Sequence, residues 1–388
     1  MNPAIEAVGG SVIRALHARR KPGSIDLGLG EPTLKPNVAY FERATQWTAE
    51  HGCRYSSNIG HDDVRELIAA RYAYPELDDK ANVCMMTGSQ EAVYVTIKTL
   101  LDPARDEVLL VEPAFPVYAK IAEVEGIHVR SVTMDPGGDC AFDAERILAA
   151  LGPRTRLIVL CSPCNPTGRV ISKAAVETIA KALLAREGPP VYVLHDEIYR
   201  EISYTDDAGE FGKVYPYTIA VNSLSKSNAL TGLRIGWLIA PRDVMPEIVK
   251  MHGWATSCAG TFAQRVAFEI FAAGDLRGHT AWYAEQREVA LAAARAEGLR
   301  AIQPEGAFYL CLEVGAEDTL GFVERLIDER NVIAIPGHIF SPSLRGWLRT
   351  SFVASPEDIR RGYARIAELA ASVRAAHRPG ELAPGLRS

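Results

Sequence analysis

One lysine, framed by hydroxyls and small residues, carries the most chemistry in this chain: Lys226, in the run SLSKSNALTGLRIG at 223–236. The run joins two apolar segments, 217–222 and 234–240, so the amine is expected at a turn between buried strands. Burial disfavours a charged ammonium, and a desolvated lysine is the amine that forms Schiff bases with carbonyl compounds. Ser223 and Ser225 offer hydroxyls, and Arg234, eight positions beyond the lysine, offers a planar fork of donors. Hydroxyls and such a fork bind phosphate. An aldehyde that also carries a phosphate suits these groups, and pyridoxal phosphate is that compound. Taken alone, an SxxK pattern in a loop is usually a solvated lysine near a turn.

Further candidates stand where apolar runs end. TGSQEA at 87–92 follows one such run, so Gly88, Ser89 and Gln90 open a predicted helix whose free N–H groups suit a phosphate; a plain helix cap is the alternative. VYVLHDEIY at 191–199 ends with Asp196, a carboxylate whose burial requires a partner or a chemical use. His195 points to the opposite face by strand alternation and is assigned to packing. Arg349 lies in the apolar run GWLRTSF without an acidic neighbour, which suggests an anionic ligand held bidentately, with a structural salt bridge as the alternative. Two prolines and a glycine in SPCNPTG at 162–168 make a rigid loop that carries Asn165. In IDLGLGEP at 25–32, alternate glycines allow close backbone approach, without the GxGxxG pattern of a dinucleotide site. Lys35, just beyond, reads as an exposed loop lysine.

The elements that position these groups follow from periodicity. Helices are expected at 3–20, 38–49, 62–72, 244–252, 262–273, 280–296, 322–329 and 356–376. Strands are expected at 83–87, 108–111, 128–133, 157–161, 191–194, 218–222 and 235–240. Apolar strands alternating with helices give an α/β fold with a mostly parallel seven-stranded sheet, and ligands on such sheets bind beyond the strand carboxyl ends. The pattern then changes to shorter mixed segments, marking a smaller α+β domain. The expected division is a large cofactor-binding domain at 41–275 and a small domain made of 1–40 with 276–388. The last residues, RPGELAPGLRS, have the composition of a disordered tail.

Composition narrows the function classes. The chain has 388 residues, 48% hydrophobic and 23% charged, with a net charge of −6. That acidity disfavours nucleic acid as a partner. No apolar run approaches the roughly 20 residues that span a bilayer, and no secretory signal is visible. Seven scattered cysteines, an odd number, suit reduced thiols and a cytoplasmic protein. Cys161 and Cys164 form a CxxC without the second pair that a structural zinc site needs.

TGSQEA, NPTG, DEIY, the lysine run and the Arg349 segment, in this order between Gly30 and Arg349, resemble the class I/II aminotransferases, the aspartate aminotransferase-like enzymes of fold type I. The resemblance implies that Lys226 holds pyridoxal phosphate as a Schiff base while an amino group passes from an L-amino acid to a 2-oxo acid. By this likeness Asp196 pairs with the pyridine nitrogen, Asn165 and Tyr199 bond the phenolic oxygen, and Phe115 covers the ring, unless it is a core residue. Gly88, Ser89, Gln90, Ser223, Ser225 and Arg234 would cradle the phosphate. Tyr55 would reach the phosphate of a neighbouring subunit in a homodimer that shares its active sites. Gly30, Asn165 and Arg349 would hold the substrate carboxylate. The same residues would serve a β-eliminating or C–S lyase, which is the alternative. Cys164 and Trp254 are candidates for the side-chain pocket, and the amino acid itself is not legible.

Overall fold

Seven runs rich in valine, isoleucine and leucine pair into one sheet. Its order is Val83–Met86, Gly236–Ile239, Thr218–Ser223, Tyr192–Asp196, Thr155–Cys161, Glu107–Glu112 and His128–Thr133. All neighbours are parallel except Gly236–Ile239, which runs antiparallel to both of its partners. This computed structural model describes residues 3–376, so the expected tail at 378–388 lies outside the described residues.

Six of the seven strands are buried along nearly their whole length. Continuous apolar runs of this kind are what a sheet covered on both faces requires. The edge strand His128–Thr133 is mostly exposed and correspondingly polar. Helices Ser89–Leu100, Val117–Val124 and Lys173–Leu184 fill connections between strands, the first two packing on each other and the last packing on Ala144–Ala149.

A second, three-stranded antiparallel sheet is formed by Ile335–Pro336, Trp347–Ser351 and Tyr309–Glu313. The long helix Thr280–Ala296 packs on the final helix Pro356–Ala376, and Ile25–Asp26 pairs in parallel with Val332–Ile333. That pair is a separate two-stranded sheet, and the chain beyond it touches both larger ones: the Gly28 carbonyl accepts from Arg349 in the three-stranded sheet, and the Gly30 carbonyl from Lys226, which follows a strand of the seven-stranded sheet.

The first expected helix is corrected: 3–20 is not continuous but splits into Pro3–Ala7 and Val12–Ala18. Gly9 and Gly10 weaken the helix by their backbone freedom, and Ser11 restarts it by accepting a hydrogen bond from the Arg14 N–H.

Leu194 is fully buried in the strand that presents Asp196. Leu194→Ala is expected to lower unfolding stability by about 2–5 kcal/mol through the cavity it leaves, checked by guanidinium unfolding of the cofactor-free protein.

Candidate active site

Strand carboxyl ends deliver the site. Asp196 is the last residue of Tyr192–Asp196, Asn165 follows Thr155–Cys161, and Lys226 sits in the short helix Leu224–Ser227 that follows Thr218–Ser223. Arg349 arrives from the smaller sheet, opposite Cys311 in its register.

Lys226 is half-buried, and its Nζ donates to the Gly30 carbonyl at 3.3 Å. Its backbone carbonyl accepts from the Tyr283 hydroxyl at 2.9 Å, which steadies the turn. Burial first, and the Arg349 guanidinium second, bring the ammonium down to about 8. An amine in that range is available as base and nucleophile near neutral pH.

Arg349 is 1% exposed and makes no ion pair with a carboxylate among the described residues. Nη1 donates to Asn165 Oδ1 at 3.1 Å, Nη2 donates to the Gly28 carbonyl, and Nε is buried without a partner. The guanidinium stacks over the Tyr309 ring at 4.5 Å and the Phe340 ring at 5.0 Å. Burial lowers its affinity for its proton. A buried, unpaired cation is costly, and the unused donor marks where an anionic ligand would bind. The salt-bridge alternative for this arginine does not hold.

Asp196 is also buried, and burial pushes its carboxyl up to about 6. The Tyr118 hydroxyl donates to Oδ2 at 2.7 Å and the Ile198 N–H to Oδ1 at 3.1 Å, both favouring the carboxylate. Tyr199 shares a hydrogen bond with Tyr309 at 2.9 Å between hydroxyls, beside Phe308. His195 turns away, as alternation requires, with Nδ1 3.0 Å from Glu197 Oε1.

A separate cradle lies at the start of helix Ser89–Leu100. Arg234 Nη1 donates to the Thr231 carbonyl at 2.9 Å and Nη2 to the Thr87 carbonyl at 3.5 Å. A Cβ on Gly88, which has φ of +85°, would lie 2.4 Å from Arg234 Nη2, so only glycine leaves the guanidinium at the helix start. Gly236 likewise lets its strand approach the Ser89 N–H, where a Cβ would stand 2.8 Å away. Ser223 Oγ caps the turn by accepting from the Ser225 N–H at 3.2 Å and keeps its own proton to donate. Free helix N–H groups, hydroxyls and a guanidinium suit a phosphate.

The structure therefore brings together Lys226, Arg349, Asn165 and Gly30 through direct contacts or a single intervening group. Asp196 joins the larger sheet to Tyr118, which meets Phe115 edge-on at 6.0 Å. Gly88, Ser89, Ser223, Ser225 and Arg234 form the cradle. Gln90 is exposed on the same helix, without a contact to the cradle. Tyr55 and Trp254 are 88% and 83% exposed and stand outside this chain's own pocket. Lys35 is exposed, and Cys164 is buried with its thiol donating to the Pro113 carbonyl.

Sequence reasoning assigned no role to Tyr309, nor to Tyr118 as the donor to Asp196. The position of Tyr118, one helical turn beyond Phe115, was the available signal. The residues present fit pyridoxal phosphate on two counts: the cradle that a side chain on Gly88 would fill, and a lysine that pairs with no carboxylate among the described residues.

Comparisons with known proteins agree. The family described as aminotransferase class I and II matches residues 22–366. A probable N-acetyl-LL-diaminopimelate aminotransferase of Bacillus subtilis is 30% identical over 350 residues, covering 88% of each chain. An aspartate aminotransferase of Pyrococcus horikoshii is 29% identical over 379 residues, covering 92% of this chain and 93% of that one. Among solved structures, the aspartate aminotransferase of Thermus thermophilus with maleate matches with a TM-score of 0.87 at 28% identity, over 95% of this chain and 99% of that one. With this site at its strand ends, the chain belongs to the class I and II aminotransferases and is a pyridoxal-phosphate-dependent transaminase of fold type I.

Proposed function

We propose that this transaminase works as a cytoplasmic homodimer on an L-amino acid and a 2-oxo acid, with Arg349 as the carboxylate anchor and Lys226 as the proton carrier. The observation that carries the assignment is the buried Arg349, which has no carboxylate partner among the described residues and shares the Gly28–Gly30 backbone with Lys226. The proposed division is a large domain at 41–275 and a small one of 1–40 with 276–388; the seven-stranded sheet within the first and the three-stranded sheet within the second support it. Tyr55, exposed in this chain, would be covered by the second copy and would reach that copy's phosphate.

When bound, pyridoxal phosphate supplies an aldehyde that takes up the amino group and a pyridine ring that withdraws electrons from Cα. Gly88, Ser89, Ser223, Ser225 and Arg234 would hold its phosphate, with Gln90 at the rim. Asp196 would face the ring nitrogen and keep it protonated, an opposite-charge pair that favours both ionised forms. Asn165 has Oδ1 engaged by Arg349, which leaves its amide N–H groups to donate to the phenolic oxygen beside Tyr199. Phe115 would cover the ring face. Arg349 would hold the substrate carboxylate through two parallel hydrogen bonds and so turn one Cα bond perpendicular to the ring. The Lys226 amine, near neutral pH partly free of its proton, would then take the proton from Cα and deliver it to the adjoining carbon. The aromatic walls Tyr199, Phe308 and Tyr309 would keep water from that transfer.

The named relatives are aminotransferases, by name of aspartate or, in one probable case, of N-acetyl-LL-diaminopimelate. Nothing among them supports elimination. An amino acid supplied alone is expected to yield one 2-oxo acid per bound cofactor and then stop, resuming when a second oxo acid is added. Continued release without an acceptor would instead establish elimination. Lys226→Ala is expected to lower kcat at least about a thousandfold, in line with the loss of a general base, while the circular dichroism spectrum stays unchanged. Arg349→Ala should raise KM for the amino acid about ten- to a hundredfold, as loss of a charged hydrogen-bond pair implies; steady-state kinetics at saturating cofactor would show it.

Asp196 also predicts a pH dependence. Its folded value, about 6, lies above the ordinary 3.8, so in the cofactor-free protein its contribution to stability is full below 3.8 and is lost as pH rises through about 6. A bound, protonated ring reverses the preference, because it requires the carboxylate. Tyr118→Phe removes a donor to that carboxylate, worth about 1.5 kcal/mol or one pH unit. The acid midpoint of cofactor release should therefore move up by about one unit, measured by dialysis across pH 5 to 8.

A further inference from the structure

The short strand that leads into the site stops pairing just before it arrives. Ile25 and Asp26 run beside Val332 and Ile333, and Leu27 closes the ladder, donating its N–H to Ile333 and accepting from the Ser351 N–H. Leu27 is fully buried, while Asp26 points to the other side by strand alternation and is partly exposed. The next two N–H groups, of Gly28 and Leu29, bond no strand among the described residues. Such groups need an acceptor once they leave water, and Asp26 supplies it. Its Oδ1 accepts from the Gly28 N–H at 2.9 Å and from the Leu29 N–H at 3.3 Å. Its other oxygen, Oδ2, stands 2.8 Å from His17 Nδ1.

The second of these bonds leads to Arg349. The Leu29 N–H and the Gly28 carbonyl belong to one planar peptide unit, and that carbonyl accepts from Arg349 Nη2. A carboxylate and a guanidinium are thus joined through a single peptide, whose two hydrogen bonds polarise one another. Glycine leaves a peptide free to rotate; Asp26 fixes this one with its carbonyl towards the arginine. With Nη1 on Asn165, the plane of the guanidinium is set from both sides. Burial is the largest influence on that guanidinium and loosens its proton, and Asp26 is among the groups that oppose it. A direct ion pair would occupy the donors that a substrate carboxylate needs. At one peptide's remove, Asp26 supports the cation and leaves its fork open.

We propose that Asp26 is a positioning residue for substrate binding: through the Gly28–Leu29 peptide it aims the Arg349 fork at the carboxylate of the incoming amino acid. This rests on the reading of Arg349 as the carboxylate anchor. Asp26 itself bonds only backbone N–H groups and faces His17, so it acts on the substrate through Arg349.

A double-mutant cycle tests the link, with the amino acid that donates in the single-turnover experiment and with its 2-methyl derivative. The derivative has no Cα proton to lose, so its dissociation constant can be read from the cofactor absorbance without turnover. Asp26→Ala is expected to raise both KM and that constant about tenfold, while kcat and affinity for pyridoxal phosphate stay within about threefold. Asp26→Asn keeps Oδ1 for the two N–H groups and should stay within about threefold of the natural chain in every quantity. Asp26→Glu, one methylene too long for the turn, replaces the alanine variant if that one does not fold. In an Arg349→Ala background, Asp26→Ala should add less than about a twofold change, because the partner through which it acts is gone. An unchanged KM in Asp26→Ala would overturn the proposal. So would a full tenfold loss repeated in the Arg349→Ala background, an equal loss of cofactor affinity, or an asparagine variant as poor as the alanine one. If Arg349→Ala alone left KM unchanged, the anchor reading would itself fall.

Discussion

Two cations, Lys226 and Arg349, share the Gly28–Gly30 backbone, and no carboxylate among the described residues pairs with either. The nearest groups to their side-chain nitrogens are carbonyls, an amide oxygen and aromatic faces. Burial raises the cost of protonating each, and the Arg349 guanidinium adds to that cost at Lys226. A pocket in that condition is stabilised by an anion and by loss of a proton from the weaker cation. Transamination requires both: a carboxylate to anchor and an amine free to move a proton.

The rest of the molecule serves to keep this arrangement in place. Lys226 sits in the short helix that follows a strand of the seven-stranded sheet and Arg349 lies in the three-stranded one, so neither sheet alone forms the pocket. The segment after Ile25–Asp26 ties them, because Gly28 accepts from Arg349 and Gly30 from Lys226. Gly30 has φ of +65°, and a Cβ there would stand 2.6 Å from the Tyr309 ring, so a side chain would push the two sheets apart at the reacting centre. Asp196 is engaged by Tyr118, and Glu91 by His252.

Much of the fold was legible because apolar runs and helical spacing report on each element locally. All seven strands of the main sheet lie where alternation and turn residues put them, within two residues at each end, and the helices at 62–72, 280–296 and 356–376 coincide with those observed. The first helix failed because two adjacent glycines interrupt a pattern whose apolar spacing continues across them. In the site, residues with an unusual type for their surroundings stood out, namely Lys226, Asp196 and Arg349. Tyr309 did not, since an aromatic residue in an apolar strand looks like core until its hydroxyl is seen to meet Tyr199.

By itself the sequence singled out Lys226, Asp196 and Arg349, because burial of a charged residue in an apolar run is a local contradiction that needs no partner to be noticed. Only the tertiary structure decided the pairs: Tyr118 with Asp196, Tyr309 with Tyr199, Arg349 with Gly28, and His252 with Glu91. The partners in these pairs stand 78, 110, 321 and 161 positions apart. Such contacts depend on the order in which strands assemble, here Val83–Met86 beside Gly236–Ile239, and periodicity within a segment carries no information about its neighbour across the sheet.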